Sequence, residues 1–85
     1  MQRQQIHRDE IANGLVKLLA ALQEAFRKKG LGEFISSHET LGVVTEEFHE
    51  LVEAVRSNDT SKIKAELMDL AVAATFGYIC IKKEE

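Results

Sequence analysis

The stretch LGVVTEEFHELVEAVRSNDTSKIKAELMDL, residues 41–70, decides the fold. Its apolar residues Leu41, Val44, Phe48, Leu51 and Val55 recur at spacings of three and four, which places them on one face of a helix. The turn-forming run Ser57-Asn-Asp-Thr-Ser61 breaks the pattern. It resumes as Ile63, Leu67 and Leu70 and continues through Ala74, Tyr78 and Ile81. Two helices joined by so short a loop are expected to run antiparallel as a hairpin.

Outward from the hairpin, Ser36-Ser-His-Glu39 has the form of a capping box. A serine hydroxyl and a glutamate three residues later satisfy free amides at a helix start. The first hairpin helix is therefore expected over about 37–57. The second is capped by Asp59, Thr60 or Ser61 and runs over about 61–82. Upstream, Ile11, Leu15, Leu18, Leu22 and Phe26 mark a long helix over about 4–29, closed by Arg27, Lys28 and Lys29 and stopped at Gly30. The expected fold class is all-α: a single domain, 1–85, of three antiparallel helices. Beyond Leu70 the last helix is apolar nearly all round, and two other helices of one short chain do not surround it. Oligomerisation, as a dimer or tetramer, is expected to complete a four-helix-type bundle.

The 85 residues carry a net charge of -3, which offers no basic footprint for nucleic-acid backbones. Met1 to Glu10 is polar and lacks the apolar core of a secretory signal. The apolar run from Leu70 to Ile81 is too short to cross a bilayer of roughly 30 Å. The lone Cys80 has no internal disulfide partner, which fits a reducing cytoplasm. Neither a nucleic-acid nor a membrane partner is expected.

Chemistry enters with Thr45-Glu-Glu-Phe-His-Glu50 and Ala65-Glu-Leu-Met-Asp69. At about 100° per residue, Glu47 and Glu50 lie about 60° apart on one helix, as do Glu66 and Asp69 on the other. Surface acids are commonly supported by a Lys or Arg four residues on. Here the residues four after Glu46, Glu47, Glu50, Glu66 and Asp69 are Glu50, Leu51, Ala54, Leu70 and Ala73. Asp69 also sits between Met68 and Leu70, where an unpaired charge is costly. A hard cation such as Mg²⁺, with Mn²⁺ as a substitute, suits this all-oxygen donor set. Zinc does not, since the chain offers no cysteine pair and only His7, His38 and His49.

Glu46-Glu-x-x-Glu50, followed after fifteen residues by Glu66-x-x-Asp69, resembles the signature of the MazG-like all-α nucleoside triphosphate pyrophosphohydrolases. That superfamily includes the dimeric dUTP pyrophosphatases, the dCTP pyrophosphatases and phosphoribosyl-ATP pyrophosphatase. The resemblance covers about Thr40 to Tyr78. It implies Mg²⁺ held by Glu47, Glu50, Glu66 and Asp69, with Glu46 as a further ligand or water-orienting group. It further implies hydrolysis of a (deoxy)nucleoside triphosphate between its α and β phosphates, Glu50 or Glu46 accepting the proton of the attacking water. Relatives generally continue into another helix that contributes phosphate or base contacts, whereas this sequence stops at Lys82-Lys-Glu-Glu85. The expected consequence is a pocket completed by a neighbouring subunit, a reduced activity, or nucleotide binding without turnover.

Other residues carry weaker signals. His38 suits a base or phosphate contact near a helix N-terminus, but a solvated capping-region histidine is the preferred reading. Glu46-x-x-His49 has the spacing of di-iron carboxylate bundles. The second hairpin helix offers Glu66-x-x-Asp69 instead of matching iron ligands, so His49 is read as a flanking residue. Phe26, Phe76 and Tyr78 read as core, while Phe34 lies in a loop and is the one free to stack on a base. Gly42 leaves space beside the acids, or permits close helix packing. Arg27, Lys28, Lys62, Lys64, Lys82 and Lys83 are unranked candidates for the phosphates. A non-catalytic helical interaction or nucleotide-binding module is the alternative to an enzyme.

Overall fold

A computed structural model describes residues 2–82 and contains three helices and, among those residues, no strand. They are α1 (Arg8–Lys29), α2 (Ser37–Ser57) and α3 (Thr60–Cys80). The bounds expected for α2 hold to the residue, because both its ends carry strong local signals. The Ser36 hydroxyl accepts from the Glu39 amide at 3.2 Å, and the Glu39 carboxylate reaches back to the Ile35 amide. At the other end Asn58 adopts the left-handed conformation (φ 58°), which its short polar side chain tolerates. Of the three residues expected to cap α3, Asp59 does so, accepting from the Lys62 amide at 3.2 Å. The first helix begins at Arg8, four residues later than expected, where the Glu10 carboxylate takes the His7 amide at 2.8 Å and fixes the entry of the chain. The third ends at Cys80, since Ile81 turns extended.

The α2–α3 hairpin is the body of the molecule, and α1 leans on α3 without its backbone approaching α2. Helices come closest where side chains are smallest. Ala54, Ala73 and Gly77 are buried, and a Cβ placed on Gly77 would meet the Thr40 methyl at 2.5 Å. The faces marked by periodicity are largely uncovered. Leu41 is 64% exposed, Phe48 55% and Tyr78 81%, and on the first half of α1 Leu15 is 61% exposed. Leu22 is the one large apolar side chain that is buried among the described residues. No helix among them is long and apolar enough to cross a membrane.

The α1–α2 connection is held against the end of α3. Phe34 donates its amide to Cys80 Sγ at 3.4 Å and sets its ring edge-on to Phe76, centroids 4.8 Å apart. Phe26 of α1 meets Phe76 from another direction at 5.5 Å, and Lys82 pairs with Glu33. Phe34, assigned to a loop, is thus half-buried in an aromatic group that spans loop, α1 and α3.

Candidate active site and metal centre

The crossing of Thr40 with Gly77 sets the register of the hairpin. Counting away from it along both antiparallel helices brings Glu47 and Asp69, and likewise Glu50 and Glu66, to within one residue of the same level. The side chains follow. Glu46, Glu47 and Glu50 form one trio and Glu47, Glu66 and Asp69 a second, each offering carboxylate oxygens that all lie within 4.8 Å of one another. Glu47 belongs to both. The five acids singled out in the sequence are therefore brought together around Glu47, which is half-buried like Glu66, whereas Asp69, expected in an apolar setting, is exposed.

Their charges are not answered by the surrounding protein. Glu47 Oε2 and Glu66 Oε2 are shielded from solvent and accept no hydrogen bond from any described residue. Burial, followed by the repulsion of Glu50, Asp69 and Glu46, pushes the Glu47 carboxyl above its ordinary range, with only Lys29 opposing. Glu66 is pushed up in the same direction by burial, then by the adjacent Glu50 carboxyl and by the charges of Asp69 and Glu47. Orphaned oxygens in a like-charged group are the condition that a divalent cation relieves. With oxygen donors alone in both trios, the residues fit a hard ion such as Mg²⁺. His49 joins neither trio. It faces Glu53 at 3.9 Å on an exposed flank of α2, as read from the sequence.

Two cavities flank the carboxylates. One, of about 500 Å³, lies between the C-terminal end of α1, the α1–α2 connection and the hairpin, and shares Glu47 and Asp69 with the cluster. The other, of about 440 Å³, opens beyond Glu50 and Glu66 toward Glu53, Ser57 and Lys62. These cavities separate the unranked cations. Arg27 is taken up by Glu24 and Lys82 by Glu33, whereas Lys28 lines the first cavity and Lys62 the second. Lys64 and His38 are exposed and line neither; Lys83 lies outside the described residues. Gly42 has open space where a Cβ would stand, yet it too lines neither cavity. Lys29, in sequence a helix-closing charge, lines the first cavity and acts on Glu47. A signal was present: Leu22, Phe26 and Lys29 continue one stripe at spacings of four and three.

The fold and the site define a class: an all-α domain whose helical hairpin gathers paired acidic motifs into a cation-seeking group. Residues 35–83, more than half of the chain, match the MazG nucleotide pyrophosphohydrolase domain, and the chain belongs to that family. Neither the curated proteins nor the solved structures give a match.

Proposed function

We propose that this chain is a Mg²⁺-dependent pyrophosphohydrolase that cleaves a (deoxy)nucleoside triphosphate between its α and β phosphates, releasing a monophosphate and pyrophosphate. The observation that carries the proposal is the pair of unpartnered, shielded oxygens on Glu47 and Glu66 inside two trios that share Glu47. Membership of the nucleotide pyrophosphohydrolase family supports the reaction class.

Glu47, Glu50, Glu66 and Asp69 would hold the cation. When bound, the ion supplies Lewis acidity and neutralises phosphate charge. The remaining work belongs to the chain. Glu46 and Glu50 are the exposed members of the first trio, placed to orient a water and to take its proton as it adds across the α–β anhydride. Lysines on either side of the carboxylates, Lys29 and Lys62, offer charge to the phosphates at both ends of the reacting bond. Such a catalyst suits house-cleaning or pool-controlling work on standard or altered nucleotides in the cytoplasm.

A second copy of the chain completes the reading. Leu41, Phe48, Leu67 and Tyr78 are all exposed on the hairpin, and a face of this kind, closed by a partner hairpin, gives the four-helix-type bundle expected of a homo-oligomer. Sedimentation should therefore return a dimer or tetramer.

The deciding experiment is a panel of nucleoside triphosphates incubated with Mg²⁺ and scored separately for pyrophosphate and orthophosphate. Pyrophosphate is expected, falling by about 10²–10⁴-fold in Glu50→Ala and Asp69→Ala, the range lost with a positioned acid–base group. Orthophosphate alone contradicts the assigned bond. Nucleotide binding with no product at all would make the chain a binding module instead.

A further inference from the structure

Residues 30–36, which join α1 to α2, are tied to the rest of the molecule at few points. Among the described residues, Leu31 to Ile35 make no backbone–backbone hydrogen bond. Leu31 is 76% exposed and Ile35 92%, so neither side chain anchors the segment. Between its ends three contacts hold it, and all of them reach the end of α3. The Phe34 ring stands edge-on to Phe76, the Phe34 amide donates to Cys80 Sγ, and Glu33 pairs with Lys82. Each is of a kind that gives way readily. Sulfur is a weak acceptor, one ring edge is a small apolar contact, and both partners of the ion pair are exposed, where water competes with it.

The two ends of the segment differ. Downstream it is fixed, because Ser36 and Glu39 together cap α2 and hold the Ile35 amide. Upstream it is free to turn. Gly30 has φ 85°, and at Gly32, outside the left-handed region, an added Cβ would meet nothing within 4 Å. Packing does not require a glycine at 32, and what this one supplies is backbone freedom.

The segment is also a wall. Gly30, Gly32 and Phe34 line the first cavity, on the α1 side, together with Glu47 and Asp69. Since the backbone of α1 does not approach α2, the connection is the element that bridges the gap between them. We propose that residues 30–36 form a strap, hinged at Gly30 and Gly32 and latched to the end of α3, whose opening controls entry to the α1-side cavity and to the carboxylates it shares. Segments with few buried contacts open at a small fraction of the cost of global unfolding, and small hinge residues absorb the change. Because every latch contact ends on α3, a change at the last turn of that helix is transmitted to the mouth of the cavity. The movement of the strap stands apart from the nucleotide reading, and only its role as a gate for substrate rests on it.

The test uses the full chain in EDTA without nucleotide, so that it depends on neither metal nor turnover. Amide exchange should show less protection at Phe34 than at Ala54 and Ala73, the buried helical positions that open with the hairpin. Cys80 should react with dithionitrobenzoate through the same opening. Phe34→Ala should raise the thiol rate by about tenfold, the scale of a lost aromatic contact. Glu33→Gln and Lys82→Gln should each lower protection at the residue 34 amide by about two- to fivefold, the scale of an exposed ion pair. These two are read by exchange alone, because Lys82 also acts on the thiol. Gly32→Ala should do the opposite, slowing the thiol and raising protection by about two- to fivefold, since alanine narrows the open ensemble. It removes no contact with Cys80, so a loosened fold does not imitate that result. Protection at Phe34 equal to that at Ala54 and Ala73, a thiol rate unmoved by Phe34→Ala, or a faster thiol in Gly32→Ala would each overturn the strap. Strap kinetics as expected with no pyrophosphate released would sink the hydrolase reading alone. Pyrophosphate released by a chain whose segment opens only with the hairpin would sink the strap alone.

Discussion

Replacing Glu47 by glutamine should stabilise the metal-free protein and, in the same molecule, remove its response to Mg²⁺. Glu47 is the acid common to both trios, with neighbouring carboxylate oxygens within 4.8 Å. At that separation two unit charges repel by about 3.5 kcal/mol at an effective dielectric of 20 and by about 1 kcal/mol in water. Glu47 is half-buried, so solvent screening holds the net relief to about 1–2 kcal/mol. For a domain of this size each kcal/mol moves Tm by about 4–8 °C. Melting in EDTA should therefore place Glu47→Gln above the parent. Saturating Mg²⁺ should reverse the order, because at a hundred times its Kd an ion stabilises the parent by about 2.7 kcal/mol and the variant has lost the ligand common to both trios. Acids that merely coat a surface predict neither result. A variant less stable than the parent in EDTA, or one that gains as much from Mg²⁺, would refute the reasoning.

Three further outcomes follow from the same geometry. In EDTA, stability contributed by Glu47 and Glu66 should fall as pH rises above the ordinary glutamate value of 4.5. A carboxyl that holds its proton more tightly folded than unfolded contributes fully below the unfolded value and loses that contribution through the folded one. Urea midpoints across this window should flatten in the Glu47→Gln, Glu66→Gln double variant and in saturating Mg²⁺. Glu24, lowered by its hydrogen bond to Arg27, acts with the opposite sign and only below that window. Gly77→Ala should destabilise by about 1–3 kcal/mol despite the better helix propensity of alanine, since its methyl would overlap that of Thr40; a Tm equal to or above the parent's would show the crossing to be loose. Ser36→Ala should cost about 1 kcal/mol by removing the hydroxyl that accepts from the Glu39 amide, again read as Tm.

The hairpin and its acids were legible because both rest on local spacing. Threes and fours place residues on a common side of a helix, and the Ser57–Ser61 turn allows the two helices only one relative direction. Periodicity does not say which side the same chain will cover. Leu41, Phe48 and Val55 were read as one helix face and are exposed, while the closest packing falls on Ala54, Ala73 and Gly77, residues that a hydrophobicity pattern ranks low. The start of α1 was missed for a similar reason. His7 is an unusual cap, and it is the Glu10 carboxylate folding back to the His7 amide that ends the extended segment. The α1-side cavity was out of reach for a different one, since it joins α1, a loop and both hairpin helices, and no spacing within a single element reports it.

That small-residue crossing also explains how the chain tolerates its own site. Drawing α2 and α3 together at Thr40 and Gly77 brings Glu47 beside Asp69 and Glu50 beside Glu66, so the contact that builds the hairpin also concentrates its negative charge. Larger side chains at Ala54, Ala73 or Gly77 would relieve the repulsion by spreading the helices and would scatter the ligands. Few apolar side chains are buried among the described residues to offset the repulsion, so the metal-free hairpin should be less stable than one without these charges. A cation held as proposed would relieve that repulsion in the packed hairpin and not in the unfolded chain, and only that difference would convert ion binding into stability. On the proposed function, metal affinity and fold stability would thus be set at one joint. Substitutions along the Thr40–Gly77 line, none of them a ligand, should shift Mg²⁺ affinity and Tm together, whereas substitutions in the strap should move access to the α1-side cavity and leave the Mg²⁺-induced rise in Tm in place.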